Sequence, residues 1–341
     1  MRCFFLFALV CLCASAQLLE IFSLPEIGAS DCLDCEELVK YKKSFPLETA
    51  LANSSAFTAV RKAAIQKIIF SCENVYATKE ESKAVWPPPS LNDLKKSDPE
   101  FILNLALRRS NVVIEDYYFN DAQERANKGR GYTWTKEDIE NRAQKPCTCG
   151  DYFQPQCEVA LKKYAHLIKD AHGLVIGSQS PWAESALFRY GAARVTTIEY
   201  MSIQTSHPNH IALTPAQAAT QFLANTLQRP DFVFSFSSLE HDGLGRYGDP
   251  LNAFGDLESI AKVHCMLPIN GLFFLGFPVG RDAVAFNAHR IYGFDRLSVI
   301  LSMGFRLVDA LYGKKFRLQA DNGFSVQPVL VLQKIHASHH H

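Results

Sequence analysis

The sequence predicts an α/β protein. Its second half folds around a Rossmann-like, mostly parallel sheet closed by a C-terminal antiparallel hairpin, behind a mainly helical, cysteine-bearing region. Three observations predict this. Past Gly173 the texture changes to short apolar runs separated by helical segments, the pattern of strands buried on both faces and joined by crossover helices. The last two apolar runs, 305–311 and 326–332, read as two strands joined by a turn. Of the seven cysteines from Cys32 onward, six lie before the change in texture, and the residues around them space their apolar positions as helices do.

Taken in order, residues 1–16 give a charged start at Arg2, an apolar run over 4–14 and a small-residue site, Ala14-Ser15-Ala16, before Gln17. This is the layout of a cleaved secretory signal, so the expected location is the lumen of the secretory pathway or outside the cell. A membrane anchor is the weaker alternative, because the run is shorter than the roughly 20 apolar residues a bilayer needs. Asn53-Ser54-Ser55 is a glycosylation acceptor that fits a lumenal location. The 35 basic and 35 acidic residues balance, which argues against a nucleic-acid backbone as partner. The expected partner is a small-molecule or glycan acceptor.

Cys3, Cys11 and Cys13 leave with the signal, and Cys32, Cys35, Cys72, Cys147, Cys149, Cys157 and Cys265 remain. In an oxidising lumen the first six are expected to form up to three disulfides, with pairing left open. Cys265, in an apolar helical stretch, reads as a buried free thiol. A redox pair at Cys32 and Cys35, or a zinc site around Cys147, Cys149 and Cys157, is the alternative. The first lacks a surrounding βαβ pattern and the second a well-spaced second ligand pair.

Apolar periodicity places helices over 59–69 and 159–168. Pro87, Pro88 and Pro89 break any helix between them, and the charged stretch 120–145, with Lys128-Gly129-Arg130-Gly131 inside it, reads as a solvated loop. Strands follow at 174–176, 194–199, 209–213, 232–236 and 272–277, with helices over 182–190, 216–227, 251–266 and 295–303. The chain thus divides into a signal (1–16), a helical region (17–170), a sheet domain (171–335) and a His-rich tail (336–341), which is set aside.

Three stretches carry chemistry. In Val175-Ile176-Gly177-Ser178-Gln179-Ser180-Pro181-Trp182 a strand ends in glycine and turns into a helix, with Ser180 as expected N-cap and Pro181 at the first helical position. A helix start offers free N–H groups to a carboxylate or phosphate. The strand Val195-Thr196-Thr197-Ile198 ends in Glu199, 22 positions beyond Gly177. An acid about 20 residues past such a turn ordinarily accepts hydrogen bonds from ribose hydroxyls. Finally, the strand Phe232–Phe236 opens into Ser237-Ser238-Leu239-Glu240-His241-Asp242-Gly243-Leu244-Gly245-Arg246-Tyr247-Gly248-Asp249-Pro250, a loop crowded with ionisable side chains.

The strand followed by Ser-Leu-Glu-His, a helix, and Leu267-Pro268-Ile269-Asn270-Gly271-Leu272 resembles the fourth and fifth strand region of class I S-adenosylmethionine-dependent methyltransferases. The glycine-rich run 240–250, with Asn287-Ala288-His289-Arg290, resembles an uncharacterised domain family abundant in nematodes. The resemblance covers 173–334 and implies S-adenosylmethionine as cofactor. Gly177 and Ser178 would then meet its amino-acid part, Glu199 its ribose with Tyr200 beside it, and Ser235 and Ser237 would lie near the methyl group; no metal is implied. For a hydroxyl acceptor, in the first instance a glycan, His241 is the first candidate base with Asp242 orienting it, and His289 is the second. Arg246, Tyr247 and Arg290 are candidates for holding the acceptor, and Asp249 for holding the loop. A turn with one glycine of the G-x-G-x-x-G pattern leaves two further readings: a non-catalytic secreted binding protein and, less favoured, a nicotinamide-dependent oxidoreductase.

Overall fold

The computed structural model describes residues 72–77, 87–110, 112–119, 131–247, 249–311 and 327–335. The signal, Cys32, Cys35, Asn53, the helix over 59–69, residues 128–130 and the His-rich tail lie outside the described residues.

The strands are β1 Val113–Asp116, β2 Tyr132–Trp134, β3 His172–Ile176, β4 Arg194–Ile198, β5 Ile203–Thr205, β6 His210–Leu213, β7 Phe232–Phe236, β8 Leu272–Gly276, β9 Ala283–Phe286, β10 His289–Ile291, β11 Phe305–Leu311 and β12 Val329–Lys334. The helices are α1 Cys72–Ala77, α2 Leu91–Ser97, α3 Pro99–Leu105, α4 Lys136–Ala143, α5 Gln156–Lys163, α6 Ala165–Ile168, α7 Trp182–Arg189, α8 Pro215–Leu223, α9 Gly255–Met266 and α10 Phe294–Ser302. None is long and apolar enough to cross a membrane.

Seven strands form the central sheet in the order β11-β12-β8-β7-β3-β4-β6. β6, β4, β3, β7 and β8 run parallel, and β12 enters antiparallel between β8 and β11. Counted within the sheet, this is the order 3-2-1-4-5-7-6 with a reversed seventh strand, which is the class I methyltransferase sheet. Successive residues of each strand point to opposite faces. Leu174, Val233, Phe273 and Leu330 pack on one side with α9 and α10, while Val175, Phe234, Phe274 and Val331 pack on the other with α5 and α7. Both faces being covered, the inner strands are apolar without alternation, which is why they are legible as short continuous runs.

Sequence and structure part in several places. α4 forms inside the stretch 120–145 that reads as a loop, started by the Thr135 and Asp138 capping box. β1, β2, β5, β9 and β10 fall where no strand is expected: β1 pairs in parallel with β9, β10 antiparallel with β9, and β2 in parallel with β5. Such short strands exist only through their tertiary partners, so they leave little periodicity to read. α7 begins at Trp182 with Pro181 in the capping position and no side-chain cap, so Ser180 is not the cap. Cys265 is not a free thiol but is bonded to Cys72, 193 residues away, tying α1 to α9. Cys149 is bonded to Cys157, which removes the zinc reading, and Cys147 is a buried free thiol.

The Cys72–Cys265 bond closes a long loop, so its removal is expected to destabilise. Cys72→Ser with Cys265→Ser should cost about 2–4 kcal/mol in a denaturant titration. An unchanged midpoint would show that the tether contributes nothing.

Candidate functional site

At the centre of the sheet the chain leaves β3 towards one side and β7 towards the other, so the loops after these strands diverge and open a crevice, as at the switch point of other open α/β sheets. A cavity of about 320 Å³ lies there. Gly177, Ser178, Glu199, Tyr200, Ser237, His241, Asp242 and Tyr247 all line it. Ser235, Arg246, His289 and Arg290 do not.

Gly177 ends β3 with φ +73°. A Cβ there would lie 1.7 Å from the Ser238 hydroxyl, so glycine lets the loops after β3 and β7 touch. The Ser178 amide donates to Glu199 Oε2 at 3.0 Å, and the Met201 amide to Oε1 at 3.3 Å. The carboxylate is thereby fixed at the end of β4. Beneath this turn lies Glu184, not anticipated from sequence. Thr197 Oγ1 donates to its Oε1 at 2.7 Å and Ser178 Oγ to its Oε2 at 3.1 Å. Burial pushes this carboxyl up to about 7 against those two hydrogen bonds. The spacing of Glu184 on an apolar helix face would have signalled it, since a buried acid there needs partners.

The loop after β7 departs from expectation. His241 is buried, and its Nδ1–H donates to the Ala288 carbonyl, so Nε2 is left as the acceptor. Burial lowers its pKa to about 3, outweighing the Ala288 bond, so the imidazole is neutral and a poor proton carrier near pH 7. Asp242 does not orient it: its carboxylate accepts from Ser259 Oγ at 2.6 Å, and burial raises its pKa well above the usual range. His289, the second candidate base, opens β10 with its ring centroid 6.3 Å from that of His241, outside the cavity.

Arg290 is not an acceptor ligand. Its guanidinium is fully buried, donates to the carbonyls of Asp242 (2.6 Å), Glu240, Asn252 and Ala253, and pairs with Asp256. Its role is to hold the loop from below. Arg246 lies over the rings of Phe119 and Tyr247, at 4.4 and 4.9 Å from their centroids. Asp249 accepts from the Gly245 and Tyr247 amides at 2.9 and 3.1 Å, which makes it a clasp for this turn. Ser235 is buried within β7 and donates to the Ile176 carbonyl at 3.0 Å, so it links β7 to β3 instead of facing a ligand.

The other walls come from outside the sheet. Tyr76 of α1 stacks on Phe222 at 3.9 Å and donates to the Lys262 carbonyl. Tyr152, on the loop closed by Cys149 and Cys157, reaches Ser237 Oγ at 2.5 Å. Neither was singled out from sequence, because their proximity to the site depends on packing between regions far apart in the chain.

Two tests follow. Gly177→Ala forces a side chain into a left-handed position and onto Ser238, and should cost about 1–3 kcal/mol in a denaturant titration; an unaffected midpoint would show that the two loops do not touch. For His241, the folded pKa lies below its unfolded value of 6.5, so its contribution to stability is full above about 6.5 and is lost as pH falls towards 3. His241→Gln should therefore flatten the acid limb of the stability profile, by up to about 1.4 kcal/mol per pH unit. Parallel profiles for the two proteins would contradict a buried neutral imidazole.

Comparison with solved structures returns low-identity matches. A Lactococcus lactis protein assigned as a hemolysin is 14% identical over 52% of this chain and 85% of its own, with a TM-score of 0.36. The Burkholderia thailandensis 1,6-didemethyltoxoflavin-N1-methyltransferase, solved with S-adenosylhomocysteine, is 14% identical over 65% of this chain and 93% of its own, at 0.36. The N-methyltransferase NodS of Bradyrhizobium japonicum, also with S-adenosylhomocysteine, is 12% identical over 58% and 98%, at 0.35. Scores this low carry no argument, and the fold class rests on the strand order above. No curated protein matches the chain. Residues 170–327, just under half of the chain, carry a methyltransferase-like domain that matches the family described as "Caenorhabditis protein of unknown function, DUF268".

Proposed function

We propose that this protein is an S-adenosylmethionine-dependent methyltransferase that acts on a hydroxyl group, with a glycan as the acceptor class, in the lumen of the secretory pathway or outside the cell. One observation carries the reading: the turn after β3 and the carboxylate ending β4 face one cavity at the switch point of a class I methyltransferase sheet. Two disulfides and the signal-like residues 1–16 support an oxidising compartment, and the abundance of glycans there motivates the acceptor class.

The residues fit the cofactor. The cavity is within the roughly 300–1,000 Å³ usual for small-molecule sites, and Glu199 is held at its edge by the Ser178 and Met201 amides. When bound, S-adenosylmethionine supplies a methyl group on a positively charged sulfur. Glu199 would hold the ribose, with Gly177 and Ser178 at the amino-acid end and Tyr200 at the rim. His241, kept neutral, offers Nε2 as a hydrogen-bond acceptor to orient an acceptor hydroxyl. Tyr247 forms the wall on that side.

A second reading, a binding protein without catalysis, is favoured by one feature: the Ser178 amide, which a carboxylate ligand would seek, is already donated to Glu199. Calorimetric titration separates the two. S-adenosylmethionine and S-adenosylhomocysteine are expected to bind saturably, and Glu199→Ala to weaken both at least about tenfold, some 1.4 kcal/mol. Absence of binding by the intact folded protein would favour the second reading.

A further inference from the structure

We propose that the acceptor's proton leaves the site through a chain of three side chains, from Tyr152 Oη through Ser237 Oγ to the carboxylate of Glu240. This rests on the methyl-transfer reading and names its proton acceptor, a role His241 does not fill.

The geometry is continuous. Ser237 follows directly on β7 with φ 51°, a left-handed conformation that side chains rarely adopt, and it lines the cavity. Its hydroxyl donates to Glu240 Oε1 at 2.8 Å. With that proton committed, the 2.5 Å contact with Tyr152 has the phenol as donor, and Gln327 Nε2 donates to the same oxygen at 3.4 Å. Ser237 therefore has no lone pair left for an acceptor hydroxyl, whereas Tyr152, whose phenol also hydrogen-bonds Gln327, is 46% exposed and lines the cavity. At the far end, Glu240 is buried and its Oε2 has no hydrogen-bond partner among the described residues. A buried carboxylate with a free oxygen is costly as a purely structural group and well suited to receive a proton.

The groups facing Glu240 are consistent with that task. His241 Nε2 stands 3.7 Å from Oε1 and is neutral. Arg290 donates to the Glu240 carbonyl from β10, and the charge on Arg246 favours the ionised carboxylate. The phenol of Tyr292 also senses Glu240, and burial holds that phenol protonated. Burial outweighs the bonds from Ser237 and the backbone and pushes Glu240 up to about 7, where it can both take and release a proton.

The step balances. As the acceptor oxygen uses a lone pair to form the new C–O bond, the S–C bonding pair returns to sulfur and cancels its positive charge. The acceptor's proton passes to Tyr152 Oη, the phenolic proton to Ser237 Oγ, and the serine proton to Glu240 Oε1. The products are a methyl ether, a neutral thioether and a protonated Glu240. Tyr152 is the catalytic residue here, and Ser237 and Glu240 act through it.

Difference infrared spectroscopy across a pH titration tests the chain without an acceptor. Wild-type protein should show protonated-carboxyl intensity that titrates near 7 from both Glu240 and Glu184; Glu240→Gln removes one component and Glu184→Gln the other, which assigns the Glu240 midpoint. Tyr152→Phe removes the donor that polarises Ser237 and should move that midpoint upward. Lack of a band assignable to Glu240, or a midpoint that Tyr152→Phe leaves in place, would overturn the relay. Calorimetry with S-adenosylhomocysteine on the same proteins keeps the two readings apart. Lost binding in wild type would sink methyl transfer, whereas retained binding with an unmoved midpoint sinks only the relay.

Discussion

The contact between the loops that leave β3 and β7 is the constraint on which the site depends. Parallel strands at a switch point send their connections to opposite sides, so the crevice between them stays open unless the loops lean together. Here they do so at one point, where Gly177 leaves room for Ser238. Beside this contact the Ser178 amide points at Glu199, and Ser237 holds a left-handed conformation at the cavity wall. The turn after β3, the acid ending β4 and the proposed proton path are thus registered against one another by this close approach.

A buried charge network secures the loop from beneath. Burial alone would raise the Asp256 carboxyl, but Arg290 and Arg296 outweigh it and hold it below the usual range. Arg296 binds it at 2.7 and 2.8 Å, and Tyr292 donates to it at 2.8 Å. The remaining Arg290 donors reach the carbonyls of Glu240 and Asp242. Buried ion pairs contribute little net stability but penalise alternatives that leave one member unpaired. In this molecule the consequence is positional: the backbone beside Glu240 and His241 is tied to β10 and α10.

The region before the sheet is part of the site's construction. One disulfide brings Tyr76 to the cavity wall and the other closes the loop that carries Tyr152. β1 and β2 pair with strands of the second half, so the two regions interlock. An open cleft on a bare sheet would leave Glu240 and Ser237 wetter, and a carboxylate in water keeps its ordinary acidity.

Much of this was legible in the sequence, for definite reasons. Strands buried on both faces have to be continuously apolar, so β3, β7 and β8 announced themselves, and the acid ending β4 stood at the distance from Gly177 that one crossover imposes. Tertiary structure decided what periodicity cannot encode. It bonded Cys265 to Cys72, turned Arg290 inward to the Asp256 network, took the His241 Nδ1 proton for Ala288 and gave Asp242 to Ser259. The sequence determined which residues gather at the sheet's edge, because strand order and spacing are local and periodic. Which of them face the cavity, and which are consumed in holding it open, was set by burial and by partners tens to hundreds of residues away.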